Sequence, residues 1–374
     1  MTRTITSPDD PALAELCGEL AARADALDAD GEWPAEQLQL CGEYGVFQWF
    51  AGREWGGQAW NQESILRGYL ALSSACLTTT FILTQREGAC RRIESSDNGP
   101  LKEKLLPRLT RGELFATVGV SHLTTSRRHL ATPILQARQG ARSASKGEAN
   151  NGYNLDGYSP WVTGADQADV IVLGATLVNH DGAATAEQLI AAVPTNLPGA
   201  RAGEPARLVG LSASHTGQFL LNDVAIGQEW LLAGPVENVM SVGAGASTGG
   251  LGTSTLALGL TRAAVSFLVA ESGQRPDLAA PRDALEQEAA ALEADLLAAV
   301  RGQPACSNDV LRQRANSLVL RATQAALAAA KGAGYVAGHP AGRWCREALF
   351  FLVWSCPQPV LAANLCELAG ILDE

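Results

Sequence analysis

GYNLDGYSPWVTGADQADVIVLGA, residues 152–175, has the texture of two successive β-strands. Tyr153, Tyr158, Trp161, Val162 and then Val170, Ile171 and Val172 are aromatic or β-branched, the types that suit a half-buried pleated surface. Asp156-Gly157 supplies a turn signal within the stretch. Working outward, LFATVGV, QLIAAV and TGQFLLNDVAI are further short β-prone runs. Asn150-Asn151-Gly152, Asn179-His180-Asp181-Gly182 and Pro198-Gly199 separate them as hairpin and loop signals. The pattern predicts a small antiparallel β domain over 113–233. Within it, 138–151, with Gly140, Ser143, Ser145 and Gly147, is expected to be an exposed loop.

The flanks change period. Ala12, Leu16, Leu20 and Ala24 recur at helical spacing, and Pro34–Tyr44, Glu63–Ser74 and Thr78–Ser95 read as further helices. Beyond 234, Leu285, Ala289, Leu292, Leu296 and Val300 share one helical face. Val310–Lys331 is an alanine-rich helix stopped by Gly332, and Pro359–Leu372 is the last. The chain is therefore expected to be an α+β protein in three parts: helical over 1–112, β over 113–233 and helical over 234–374. No GxGxxG follows a strand, so a doubly wound nucleotide fold is not indicated.

Composition narrows the function. The 374 residues are 47% apolar and 18% charged, a globular balance, and 28 basic against 39 acidic residues give a net charge of −11. That charge argues against a nucleic-acid surface. MTRTITSPDDPALAEL places acidic residues where a signal peptide needs an apolar core. No apolar run approaches the roughly 20 residues of a spanning helix, so a cytoplasmic location is expected. The eight cysteines form no CxxC pair and have no histidine at zinc-ligand spacing, so they read as free, mostly buried thiols with no metal.

Four stretches carry a family pattern: YGVFQWFAGREWGGQ (44–58), LKEKLLPRLTRGELFATVGVS (101–121), the opening stretch (152–175) and KGAGYVAGHPAGRWCREA (331–348). In this order they resemble the acyl-CoA dehydrogenase superfamily, the third most closely, through its Gly-x-x-Leu-x-Gly-x-Lys-x-Trp-Ile-Thr-Asn-x-x-x-Ala-Asp hairpin. The resemblance implies that family's fold, with a C-terminal domain like a four-helix bundle, and FAD as cofactor. It assigns Val118, Val120 and Ser121 to one side of the isoalloxazine, with Trp161 and Thr163 beside the ring. Arg275 resembles the arginine that reaches the FAD pyrophosphate of a neighbouring subunit, and Gly332 and Gly334 would let backbone approach that cofactor closely. A homodimer or homotetramer is implied, acting on a small molecule such as an acyl thioester.

The departures from the pattern bear on chemistry. Nine residues past Arg346, where the family carries its catalytic glutamate, this chain has Ser355. The alternative position on the first C-terminal helix falls at about Gly249, and no carboxylate lies between Glu237 and Glu271. The motif Thr-Glu-Pro-x-x-Gly-Ser-Asp reads SHLTTSRR, residues 121–128. A neutral serine hydroxyl is a poor general base without a partner. Three expectations stay open: a dehydrogenase with another base, His122 being the nearest candidate; a flavin-dependent monooxygenase of the same superfamily, which needs no glutamate; or a scaffold that kept the fold. Cys356 is a candidate reactive thiol against an ordinary buried one. Arg127-Arg128, with Arg138, Arg142 and Lys146, reads either as a contact for CoA phosphates or as a solvated loop.

Overall fold

The computed structural model describes residues 3–124, 132–141, 152–245 and 250–371. Helix α1 (Pro11–Asp30) begins where the Asp10 carboxylate accepts the Ala12 N–H. It ends at Gly31, whose left-handed backbone returns its N–H to the Leu27 carbonyl. Helices α2 (Ala35–Glu43), α3 (Gln62–Ala75) and α4 (Leu77–Glu94) follow the predicted segments closely. The 101–121 stretch opens within a helix, α5 (Gly99–Thr110), which buries Leu101, Leu105, Leu106 and Leu109. In the Trp-Gly-Gly turn, a Cβ on Gly57 would fall 2.0 Å from the Ala51 carbonyl oxygen, so only glycine fits.

Among the described residues eight strands make one sheet: β1 (Ala116–Gly119), β2 (Leu135–Ala141), β3 (Gly152–Val162), β4 (Val170–Val178), β5 (Ala184–Pro194), β6 (Ala200–Pro205), β7 (Gly217–Ile226) and β8 (Leu231–Glu237). The order is β6-β7-β3-β2-β4-β5-β8, with β1 beside β4. Most pairs are antiparallel as expected, but β1 and β2 each run parallel to β4, so the sheet is mixed. The expectation of a loop over 138–151 is corrected at its start. Residues 138–141 close β2 and pair with β3 at Asn154 and its neighbours, and 142–151 lie outside the described residues.

Strand alternation divides the sheet between two cores. Val170 and Val172 of β4 face the helices together with Ala116, Val118, Ile190 and Ala192. Ile171, Leu173 and Ala175 face the other way, against Leu189, Val193, Phe219 and Leu221. The first core is shared by both helical flanks: Leu16, Leu72 and Leu83 belong to it, and so do Leu260, Leu292 and Leu318.

The C-terminal part holds α7 (Gly252–Ser272), α8 (Ala279–Val300), α9 (Asn308–Gly334), α10 (Pro340–Ala348) and α11 (Gln358–Leu368). A four-residue helix, α6 (Ser121–Thr124), sits at the end of β1. Helix α9 breaks at Lys331, one residue before the glycine expected to stop it. Helix α7 corrects the expectation about apolar runs: it is 21 residues long and contains an 18-residue stretch of mean hydropathy 1.4, the length and composition to cross a membrane. Two-thirds of that stretch is buried inside the molecule, packed against α3 and α9, as in the core helix of a folded domain.

Helix α10 is tied to α1 by a buried ionic cluster. Arg343 Nε donates to Asp25 at 2.8 Å and its Nη1 to Glu347 at 3.2 Å, and Glu347 is 1% exposed. Arg346 adds a pair with Asp28 and a hydrogen bond to the Val209 carbonyl at 3.2 Å. That arginine of the Arg-x-x-Arg-Glu-Ala segment thus joins α10 to α1 and to the region of the sheet.

Candidate functional site

A cavity of about 690 Å³ lies where α3 and α4, the end of β1, the end of β3, the start of α7 and the turn after α10 meet. Its position follows from how β1 is held. The Asp169 carboxylate, last residue of the Ala-Asp motif, accepts the Phe115 N–H at 2.8 Å and so fixes the chain as it enters β1. Val118 and Val120 then line the cavity as buried side chains. Ser121, the first residue of α6, lines it too, with a buried hydroxyl that has no protein partner.

From β3, Trp161 reaches the cavity with 51% of its surface exposed, an unusual state for so large an aromatic. Thr163 beside it is buried, and its hydroxyl lies 3.1 Å from the Thr216 hydroxyl, which lies 2.8 Å from that of Ser214. This row of hydroxyls can reorient to donate or accept at the cavity wall.

The turn after α10 supplies the opposite side. Arg312 is 5% exposed and donates Nη2 to the Phe351 and Trp354 carbonyls at 3.0 and 2.8 Å and Nε to Asn316 at 2.9 Å. Burial lowers its pKa to about 10, still fully charged at neutral pH. The carbonyls it clamps present Trp354, stacked on Phe350 at 4.8 Å and edge-on to Phe81, and Ser355 in a left-handed conformation. Arg312→Lys removes the planar fork while keeping the charge. It is expected to cost about 1.5 kcal/mol, roughly one charged hydrogen bond, and urea midpoints of the two proteins check it.

Six of the residues chosen from sequence therefore meet on one cavity: Val118, Val120, Ser121, Trp161, Thr163 and Ser355. The other four stand apart from its described lining. His122 is buried against the sheet with Nε2 at 2.7 Å from the Gly174 carbonyl, so that nitrogen carries the proton. Burial lowers its pKa to about 4, and neither the bond nor the location suits a base at the cavity. Arg275 donates to the Ala329 carbonyl at 2.6 Å, which sets it beside the end of α9 that carries Gly332 and Gly334. Gly249 and residues 125–128 of the SHLTTSRR stretch lie outside the described residues, as do Arg142 and Lys146. Cys356 is half-buried and its thiol pKa is raised by that burial, which does not favour a reactive thiolate. Among the described residues no cluster suitable for a metal ion occurs.

One polar group was not singled out from sequence. Glu87 and Arg91 on α4, 2.6 Å apart, line the cavity with Tyr69 and Gln62 of α3. The signal was present: Thr84, Gly88 and Arg91 recur at helical spacing on a helix read only for its apolar residues.

The family model for the acyl-CoA dehydrogenase N-terminal domain matches residues 12–113. Glutaryl-CoA dehydrogenase of Desulfococcus multivorans is 24% identical over 94% of this chain and 91% of its own length. Among solved structures, a glutaryl-coenzyme A dehydrogenase in complex with glutaryl-CoA superposes with a TM-score of 0.78 at 18% identity, covering 97% of this chain and 96% of that one. A glutaryl-CoA dehydrogenase from Mycobacterium smegmatis in complex with FADH2 gives 0.76 at 17% identity, covering 97% and 96%. The chain thus carries an acyl-CoA dehydrogenase N-terminal domain over residues 12–113, is similar along its length to acyl-CoA dehydrogenases and shares the fold of their solved structures.

Proposed function

We propose that this chain is an FAD-dependent oxidoreductase that acts on a small acyl thioester. The observation that carries the proposal is the meeting of Val118, Val120, Ser121, Trp161, Thr163 and Ser355, remote in sequence, on one cavity of about 690 Å³. A volume of that order is typical of sites for small ligands and cofactors. The residues present fit a flavin ring: Trp161 offers an exposed aromatic face, and the Ser121 and Thr163 hydroxyls offer polar contacts for a ring edge. Arg275, Gly332 and Gly334 are assigned to the pyrophosphate of an FAD in a neighbouring subunit of a homodimer or homotetramer.

Bound FAD would supply a two-electron acceptor for α,β-dehydrogenation. The chain's own residues would do the rest. Trp354 and Phe350 close an apolar wall that excludes water, and Arg312 holds the turn that carries them. Ser355, at the family's glutamate position, is neutral and leaves the α-proton without its usual acceptor. That serine favours a second reading, a monooxygenase of the same superfamily in which reduced flavin meets oxygen. The test is anaerobic addition of acyl-CoA thioesters of graded chain length to the FAD-loaded protein. Loss of the visible flavin band is the expected result. A band unchanged by every thioester contradicts the dehydrogenase, and substrate-dependent oxygen uptake with reduced flavin would then select the monooxygenase.

A further inference from the structure

The wall of the cavity formed by α3 and α4 is chemically unlike the rest. Ile65, Leu66, Phe350, Val353 and Trp354 would suit a plain hydrocarbon chain. Glu87 and Arg91 would not: their side chains are 12% and 21% exposed, and they form an ion pair at 2.6 Å. With the Gln62 amide turned as its neighbours require, its oxygen accepts from Arg91 Nη1 and Nη2 at 2.6 and 3.1 Å. Tyr69 is 3% exposed, and its buried hydroxyl faces the Glu87 carboxylate, which acts on it as a hydrogen-bond acceptor although no bond of good geometry joins the two. Burial and the neighbouring carboxylate both raise the phenol pKa above its ordinary range, so it stays a proton donor at all working pH values.

Leaving a buried hydroxyl poorly paired and desolvating an ion pair both oppose folding. A ligand that completes these groups removes part of that cost on binding. The pair already cancels its own charge, so a second net charge at this place would be buried without a counter-ion. A neutral substituent that both donates and accepts meets every requirement, since it can accept from Tyr69 and donate to Glu87.

Building on the thioester reading above, we propose that Tyr69, Glu87 and Arg91 form a specificity subsite for an uncharged hydrogen-bonding substituent, a hydroxyl or amide, on the acyl group. Tyr69 and Glu87 contact the substituent, while Arg91, held by Gln62, positions the carboxylate. A hydrocarbon chain of equal length leaves the subsite unfilled.

Anaerobic calorimetric titration of the FAD-loaded protein with hexanoyl-CoA and with each positional isomer of hydroxyhexanoyl-CoA tests this directly. At least one hydroxy isomer is expected to bind about tenfold more tightly than hexanoyl-CoA, roughly the factor that one net hydrogen bond contributes. Tyr69→Phe should bring that ratio down towards 1, and so should Glu87→Gln. Tyr69→Phe is the safer variant for folding, because it removes a hydroxyl that makes no bond of good geometry and keeps the packing of the ring. Equal affinities across the panel, or a preference that survives Tyr69→Phe, overturn the subsite while leaving the thioester reading intact. Binding of none of the thioesters sinks that reading, and the subsite with it.

Discussion

Arg343→Met is expected to destabilise the protein by about 3–5 kcal/mol, the usual consequence of removing one partner from a buried ion pair. Arg343 is 6% exposed and Glu347 1%, so neither charge can turn to solvent when the other is lost. Burial pushes the Glu347 carboxyl pKa up, and Arg343 is the first group that opposes this. Without Arg343 the carboxyl must stay charged and unpaired, or take up a proton. Methionine fills much of the arginine stem's volume, so the cost is electrostatic more than a cavity. The double variant Arg343→Met/Glu347→Leu should recover most of the loss, since an apolar pair avoids desolvating charges. Urea denaturation of wild type, single and double variants checks both parts. A single-variant loss below about 1 kcal/mol, the level of an exposed pair, would show that the cluster is not buried as described.

A second large effect depends on pH. His122 has its pKa lowered from 6.5 to about 4 by burial, which outweighs the opposing effect of its bond to the Gly174 carbonyl. Between those values the unfolded chain binds a proton that the folded one does not. The neutral ring's contribution is therefore fully present above pH 6.5 and is lost as pH falls towards 4. The span corresponds to about 3 kcal/mol, at 1.36 kcal/mol per unit. Stability measured by urea titration at half-unit steps should fall with acid over this window. His122→Gln, which can still donate to Gly174, should flatten the slope. Equal slopes in both proteins would mean that carboxylates alone cause the acid loss.

Much of this structure was legible in the residues. The β-branched run of Val170, Ile171 and Val172 predicted a strand, and the structure goes further by burying both of its faces between two cores. The parallel pairing of β1 and β2 with β4 was not legible, because period and turn signals report neighbours in sequence and not the partner a strand finds after a crossover. Helix α5 was missed because Pro107 and the charges of LKEKLLPRLTRGE hide a buried leucine face. At the site, Trp161, Thr163 and Ser355 were legible through motif spacing. Glu87, Arg91 and Tyr69 were not, since their importance lies in which wall of a cavity α3 and α4 turn inward, a matter of packing that no local pattern records. His122 was chosen for its intrinsic pKa; what decides its chemistry is the Gly174 carbonyl and the burial around it.

The cavity edged by Trp161 is proposed to hold FAD. Titrating cofactor-free protein with FAD while following tryptophan fluorescence and the flavin's visible band tests it most directly. Saturable uptake of one FAD per chain, with a quench that shrinks markedly in Trp161→Phe, is the expected result. Protein that takes up no FAD, or a quench unchanged in Trp161→Phe, would contradict it.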